Sequence, residues 1–308
     1  MKVYGSILTA LFVACIKVTG QFSPVYSSYM MNGLAINPAY AGSHEVLSLS
    51  FLHRSQWSGF EGAPKNDIIS AHAQVKDKNV GLGLMFLHEG IGITNGTGIY
   101  GNYAYRINLG KGKIALGLKA GIDIMSYSES GLRLSDTDDS EFGLNVSSVL
   151  PNFGAGIFYH SPEFYVGFSV PYFLSRRESE SKEGFEVYHE MANYNYLVTS
   201  GVLLNLSKKV KLKPSFLLQY NQKSPFVLDL STTVVYRDLV WLGVTYRNEN
   251  AIAGIAEVRL YPIMPQLKIG YAYDYSLGKL ANFGSGSHEI VLSYEFSYTI
   301  KASNPRYF

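Results

Sequence analysis

The sequence predicts an all-β chain closed into a transmembrane antiparallel barrel of about fourteen strands, with long extracellular loops and short periplasmic turns. Three observations carry this. The first is composition: the 308 residues are 47% hydrophobic and 14% aromatic, with 24 Tyr and 30 Gly, but only 16% charged. Globular domains carry about a quarter charged residues, so this chain has too little charge for an ordinary soluble surface. Its hydrophobic content excludes disorder, and it lacks the roughly 18–20 residue apolar run of a spanning helix. The second is period-two alternation, the mark of strands with one apolar face. The third is the placement of charge along those strands.

Taken in order, Met1 and Lys2 precede an apolar stretch from Val3 to Ile16 that is too short to span a membrane, and Val18-Thr19-Gly20 leads to a plausible cleavage point before Gln21. Residues 1–20 read as an export signal. The single Cys15 lies inside it, and Phe12-Val13-Ala14 is a poor lead-in for lipid attachment. Without the two lysines of this leader the net charge falls to about zero, which argues against nucleic acid as a partner. Residues 21–45 hold Pro24, Pro38 and several small residues, and are expected either to plug the barrel or to face the periplasm.

The barrel is expected over 46–300, with strands at 46–54, 67–76, 79–88, 97–108, 113–126, 152–160, 163–171, 194–206, 210–221, 226–236, 239–247, 251–261, 266–275 and 288–300. The last strand shows the pattern: Ile290, Leu292, Tyr294, Phe296, Tyr298 and Ile300 alternate with Val291, Ser293, Glu295, Ser297 and Thr299. In the fifth, Leu116, Leu118, Ala120 and Ile122 alternate with Ala115, Gly117, Lys119 and Gly121. Long connections (55–66, 127–151, 172–193, 276–287) fall at one end and turns of two to four residues at the other, as in bacterial outer-membrane barrels. Strand charges fall on the phase opposite the apolar stripe, Asp67 excepted. A Lys or Arg facing mid-bilayer hydrocarbon costs about 2–4 kcal/mol, so the apolar phase faces lipid and the charged phase the lumen. A charge at Leu118 or Phe296 is therefore expected to harm assembly more than one at Gly117 or Ser297.

Lumen charges of both signs (Arg54, Lys76, Arg106, Lys119, Lys213, Arg247 and Lys268 among the bases; Asp123, Asp229, Glu257, Asp274, Glu289 and Glu295 among the acids) suggest internal ion pairs rather than a selective pore. Asp136, Asp138, Asp139 and Glu141 lack the spacing and central Gly of a calcium loop and read as a solvated acidic loop. The charged loop 172–193 reads as a hydrated surface loop. His53, His72 and His88 show no metal-binding spacing, and no nucleophile-elbow pattern such as Gly-x-Ser-x-Gly occurs, so neither an enzyme nor a cofactor is expected.

Several segments, in order, resemble the PorP/SprF family of type IX secretion system outer-membrane proteins. They are Asn37-Pro38-Ala39-Tyr40-Ala41-Gly42, then Arg54-Ser55-Gln56-Trp57-Ser58-Gly59-Phe60-Glu61-Gly62-Ala63-Pro64-Lys65, then Asn79-Val80-Gly81-Leu82-Gly83-Leu84. Thr97-Gly98-Ile99-Tyr100-Gly101-Asn102-Tyr103-Ala104-Tyr105-Arg106, Leu118-Lys119-Ala120-Gly121 and the closing Asn304-Pro305-Arg306-Tyr307-Phe308 complete the series. The resemblance implies a non-enzymatic barrel in the outer-membrane lipid that works with the type IX machinery. It also implies support for export or anchoring of a cargo with a C-terminal secretion domain, such as an adhesin, and, for some members, action with periplasmic, peptidoglycan-linked components. The translocating pore of that system is a larger barrel. Candidate partner-binding or structural residues are Asn37, Pro38, Ala39, Tyr40 and Gly42; Gln56, Trp57, Gly59, Gly62, Ala63 and Pro64; and, in the tail 301–308, Pro305, Arg306 and Phe308. A passive channel or hydrophobic-ligand transporter is the rival reading.

Overall fold

The computed structural model describes residues 26–75, 79–128, 145–178, 184–248, 251–277 and 285–296. Lys76, the acidic loop residues, the segment 1–20 expected to be an export signal, and the tail with Pro305, Arg306 and Phe308 lie outside them. Three 3₁₀ turns (Tyr29–Met31, Gly33–Ala35 and Pro38–Tyr40) precede the strands, which we number β1 to β17. They are β1 (Ser48–Ser55), β2 (Lys65–Gln74), β3 (Val80–Ile91), β4 (Thr94–Leu109), β5 (Gly112–Ser128), β6 (Asn145–His160), β7 (Phe164–Val170), β8 (Ser175–Glu178) and β9 (Phe185–Tyr188). Then follow β10 (Tyr196–Val202), β11 (Leu204–Asn205), β12 (Val210–Asn221), β13 (Ser224–Tyr236), β14 (Val240–Arg247), β15 (Ala251–Leu260), β16 (Met264–Ser276) and β17 (Ser287–Glu295).

Each barrel strand pairs antiparallel with its chain neighbours, β10 pairs with both β7 and β12, and β1 pairs with β17. The ring is therefore closed. The pieces β10 and β11 are one strand interrupted at Leu203, and β8–β9 is a separate hairpin, which leaves fourteen strands in the ring. Closure pairs every strand on both sides and abolishes the open edge that lipid cannot tolerate.

The two phases separate as the alternation requires. Leu84 is 68% and Leu118 62% exposed on the outer face, as are Ile99, Phe153, Leu230 and Leu242 around the ring, while Arg54 and Lys119 are buried inside. Asp67, the exception in the charge pattern, stands opposite His53 at the strand ends and accepts a hydrogen bond from its Nδ1 at 2.8 Å. The pair lies at the rim rather than in mid-membrane.

The long-loop end is the outer end, and the short-turn end the periplasmic one. Residues 26–45 fill the ring. Their outer part meets Glu289 on β17, and their last residues reach Arg106 near the periplasmic end of β4 before Glu45, at φ 58°, turns the chain into β1. At the outer mouth, the described residues of loop 172–193 include the β8–β9 hairpin, whose Phe185 amide donates to Ser148 Oγ on β6 at 2.8 Å.

Candidate functional site

Pro38 fixes its own φ and biases the residue before it away from helix. Asn37 accordingly is extended (φ −143°, ψ 115°) and caps the following turn, its Oδ1 accepting from the Ala39 amide at 2.9 Å. Its Nδ2 donates outward to the Ile157 carbonyl at 3.0 Å and is 3.4 Å from that of Phe168, tying the turn to β6 and β7. Tyr40 packs edge-on against His44, His72 and Phe158, with ring centroids 5.4 to 5.6 Å apart. Its hydroxyl is in a 2.8 Å hydrogen bond with His44 Nε2. The Gly42 amide donates to His72 Nδ1 at 3.0 Å, and Arg106 donates to the Ala41 carbonyl.

Small residues on the inner phase make room for this segment. A Cβ on Gly117 would lie 2.1 Å from the Ala39 nitrogen, and one on Gly81 would lie 2.0 Å from the Ala41 oxygen. The expectation that a charge at Gly117 harms assembly less than one at Leu118 assumed a hydrated lumen, and the lumen beside Gly117 is instead occupied by the Ala39 backbone. The glycines of Gly81-Leu82-Gly83 and Gly117-Leu118 serve as seats for the segment.

The outer half of the lumen is ionic. Glu289, fully buried, accepts from the Ser27 and Ser28 amides at 2.9 and 2.8 Å, from Ser28 Oγ, and from Arg54. Arg54 also reaches Asp274 at 3.0 Å, and Arg247 bridges Asp229 at 2.7 Å and Ser27 Oγ at 3.1 Å. Buried charge is stable only when paired and hydrogen-bonded, and here the inserted chain supplies part of that pairing. Elsewhere in the lumen the Lys119 ammonium lies 4.5 Å from the Tyr100 ring and 3.5 Å from that of Tyr172, while Arg176 of β8 reaches Glu89 at 4.0 Å. Toward the periplasm, Lys268 lies between Glu257 and Glu295 at 3.6 and 3.8 Å. Beside it a cavity of about 70 Å³, lined by Tyr40, His44, His72 and Lys213, is wide enough for a few waters only.

The remaining described candidates form a pinned loop at the outer mouth. The Gln56 amide donates to the Pro64 carbonyl at 2.9 Å, the Trp57 amide to Ser287 Oγ at 3.2 Å, and Gly92 to the Gly62 carbonyl at 3.0 Å. Trp57 (φ 47°), Gly59 (φ 95°) and Gly62 (φ 75°) occupy left-handed conformations, which Gly adopts freely and Trp does not. Ala63 donates to Phe60, closing the tip. The structure thus gathers Asn37, Pro38, Ala39, Tyr40 and Gly42 inside the lumen, and Gln56, Trp57, Gly59, Gly62, Ala63 and Pro64 at its outer rim. The specific lumen partners of the segment, Glu289, Arg106 and His72, are not singled out by sequence. Their signal is faint: charges on an inner phase that also carries Gly. Among the described residues no group of three or more His, Cys, Asp or Glu side chains is arranged to hold a metal ion.

The model of the family described as type IX secretion system membrane protein PorP/SprF matches residues 18–294. No curated protein matches the chain. Among solved structures it is similar to the CymD monoaromatic hydrocarbon channel, with TM-score 0.50 and 15% identity over 91% of this chain and 95% of that one. It also matches the TodX deltaS2S3 mutant monoaromatic hydrocarbon channel, with TM-score 0.46 and 10% identity over 89% and 95% of the two chains. The outer membrane protein Omp33 of Acinetobacter baumannii gives TM-score 0.45 and 7% identity over 83% and 100%. At such identities the CymD likeness speaks for the barrel fold alone.

Proposed function

Because the chain belongs to the PorP/SprF family of type IX secretion system membrane proteins and is thereby an outer-membrane barrel, we propose that it is a non-enzymatic component of that system. It supports secretion or surface anchoring of a cargo with a C-terminal secretion domain, such as a gliding adhesin, and acts through contacts with the secretion machinery and the cargo. The observation that carries this reading is the filled lumen. Residues 26–45 occupy it from Glu289 to Arg106, and the β8–β9 hairpin leans over its outer mouth. A barrel so filled offers surfaces rather than a conduit. The pinned loop 56–64 presents Phe60 and Glu61 outward and is the surface we assign to partner contact outside the cell.

The test is deletion of the gene followed by a census of surface and culture-medium proteins. Loss of a C-terminal-domain cargo with small-solute uptake unchanged supports the reading. Unchanged cargo with reduced uptake of a small or hydrophobic solute refutes it in favour of a channel.

A further inference from the structure

Five of the six periplasmic connections carry charge: Asp77-Lys78, Gly110-Lys111, Ser161-Pro162-Glu163, Ser207-Lys208-Lys209 and Arg237-Asp238. The sixth, where β15 gives way to β16, reads Tyr261-Pro262-Ile263-Met264-Pro265, without a charge. All five of its residues are exposed, and Ile263 at the apex is 89% exposed. Lipid does not relieve this exposure. Tyr159, Phe164, Tyr236 and Tyr261 sit at strand ends on this side, forming the aromatic girdle that marks the limit of the hydrocarbon. Ile263 lies two residues beyond Tyr261, at the apex of the turn.

The adjoining turns add positive charge. Arg237 donates its amide to the Lys209 carbonyl at 2.7 Å, and Arg259 donates to that of Leu239 at 2.8 Å. Residues 206–209, 237–239 and 259–264 therefore form one backbone-linked strip. Lys211 and Asp238 neutralise each other at 2.8 Å, whereas Lys208, Lys209 and Arg237 are exposed on the two turns that lead along the strip to the apolar apex. Arg237 is held over the Tyr236 ring at 5.3 Å.

We propose that this strip docks an acidic domain of a periplasmic protein, which receives Ile263 in an apolar pocket and sets carboxylates against Lys208, Lys209 and Arg237. Charge complementarity selects the partner and steers its approach, and the buried aliphatic apex anchors it. An anionic lipid headgroup would match the cations but leave Ile263 in water. The inference rests on the secretion-component reading and adds to it the chemistry of one partner.

The experiment places a photo-cross-linking amino acid at position 263 of the full-length protein in intact cells, with position 111 on another periplasmic turn as control. Irradiation is expected to give one discrete protein adduct from 263 and none from 111. Mass spectrometry should identify an acidic periplasmic protein, and combined K208E, K209E and R237E changes should weaken the adduct about tenfold. Purified, that protein should bind the detergent-solubilised barrel about tenfold more weakly when Ile263→Asp is introduced. Heat-modifiable gel mobility establishes that each variant barrel is folded. A phospholipid adduct, no adduct, equal adducts at both positions, or an adduct indifferent to charge reversal would each overturn the proposal. Any of these, with cargo secretion still dependent on the gene, removes this surface and leaves the proposed function standing.

Discussion

At the scale of single residues, the inner face is governed by contact with chain rather than with water. Gly117 has room for a hydrogen and nothing more, because the Ala39 backbone lies against it. Gly117→Val should therefore abolish the folded, fast-migrating form on unboiled gels, whereas Leu118→Val, one residue away on the lipid face, should leave it intact; equal yields would mean that residues 26–45 do not sit where described. Glu289 supports a second prediction. Removing one partner of a buried ion pair costs about 3–5 kcal/mol, because the other charge is left uncompensated. Glu289→Ala strips the acceptor from Arg54 and from the Ser27 and Ser28 amides at once. Arg54 keeps Asp274 at 3.0 Å, so denaturant unfolding in detergent should show a loss below that size but well above zero, and an unchanged midpoint would argue that water, not the carboxylate, serves those donors.

At the scale of elements, the alternation specified the strands well, because one-sided burial in lipid imposes a strict period of two. Residues 97–108 and 113–126 fall within β4 and β5 as observed. The misses have local causes. The strand expected at 152–160 begins earlier, at Asn145 in β6. Since β7 ends at Val170 opposite Ala155, Pro151 lies beyond the last β6–β7 pair and needs no ladder hydrogen bond on that side. The hairpin β8–β9 was illegible because its stabilising contacts, Arg176 to Glu89 and Phe185 to Ser148, are distant in sequence. The motif Asn37 to Gly42 was visible as a preset turn, but its alternatives, plug or docking segment, differ only in tertiary contacts that no spacing encodes. The lipid face yields a prediction for a whole strand. Leu84→Lys on β3 should cost about 2–4 kcal/mol, read as a lower yield of folded barrel in membranes; a yield equal to that of Leu84→Ala would place this face in water.

At the scale of the whole molecule, the ring of fourteen strands and the segment inside it form a single packed body in which the lumen serves as core. The hydrophobic clusters cross the boundary between them: Leu34, Ala39 and Tyr40 pack with Ala104, Ala115 and Phe158, and Tyr26 packs with Leu52, Ile68, Met85 and Tyr100. A passive channel needs a continuous aqueous path, and among the described residues apolar side chains and paired charges occupy the lumen. The most direct measurement is ion conductance of the purified full-length protein in planar lipid bilayers, beside a variant lacking residues 26–45. The full-length barrel should be electrically silent and the shortened one conductive. Steady open-channel current through the full-length protein, matched by the variant, would contradict the account.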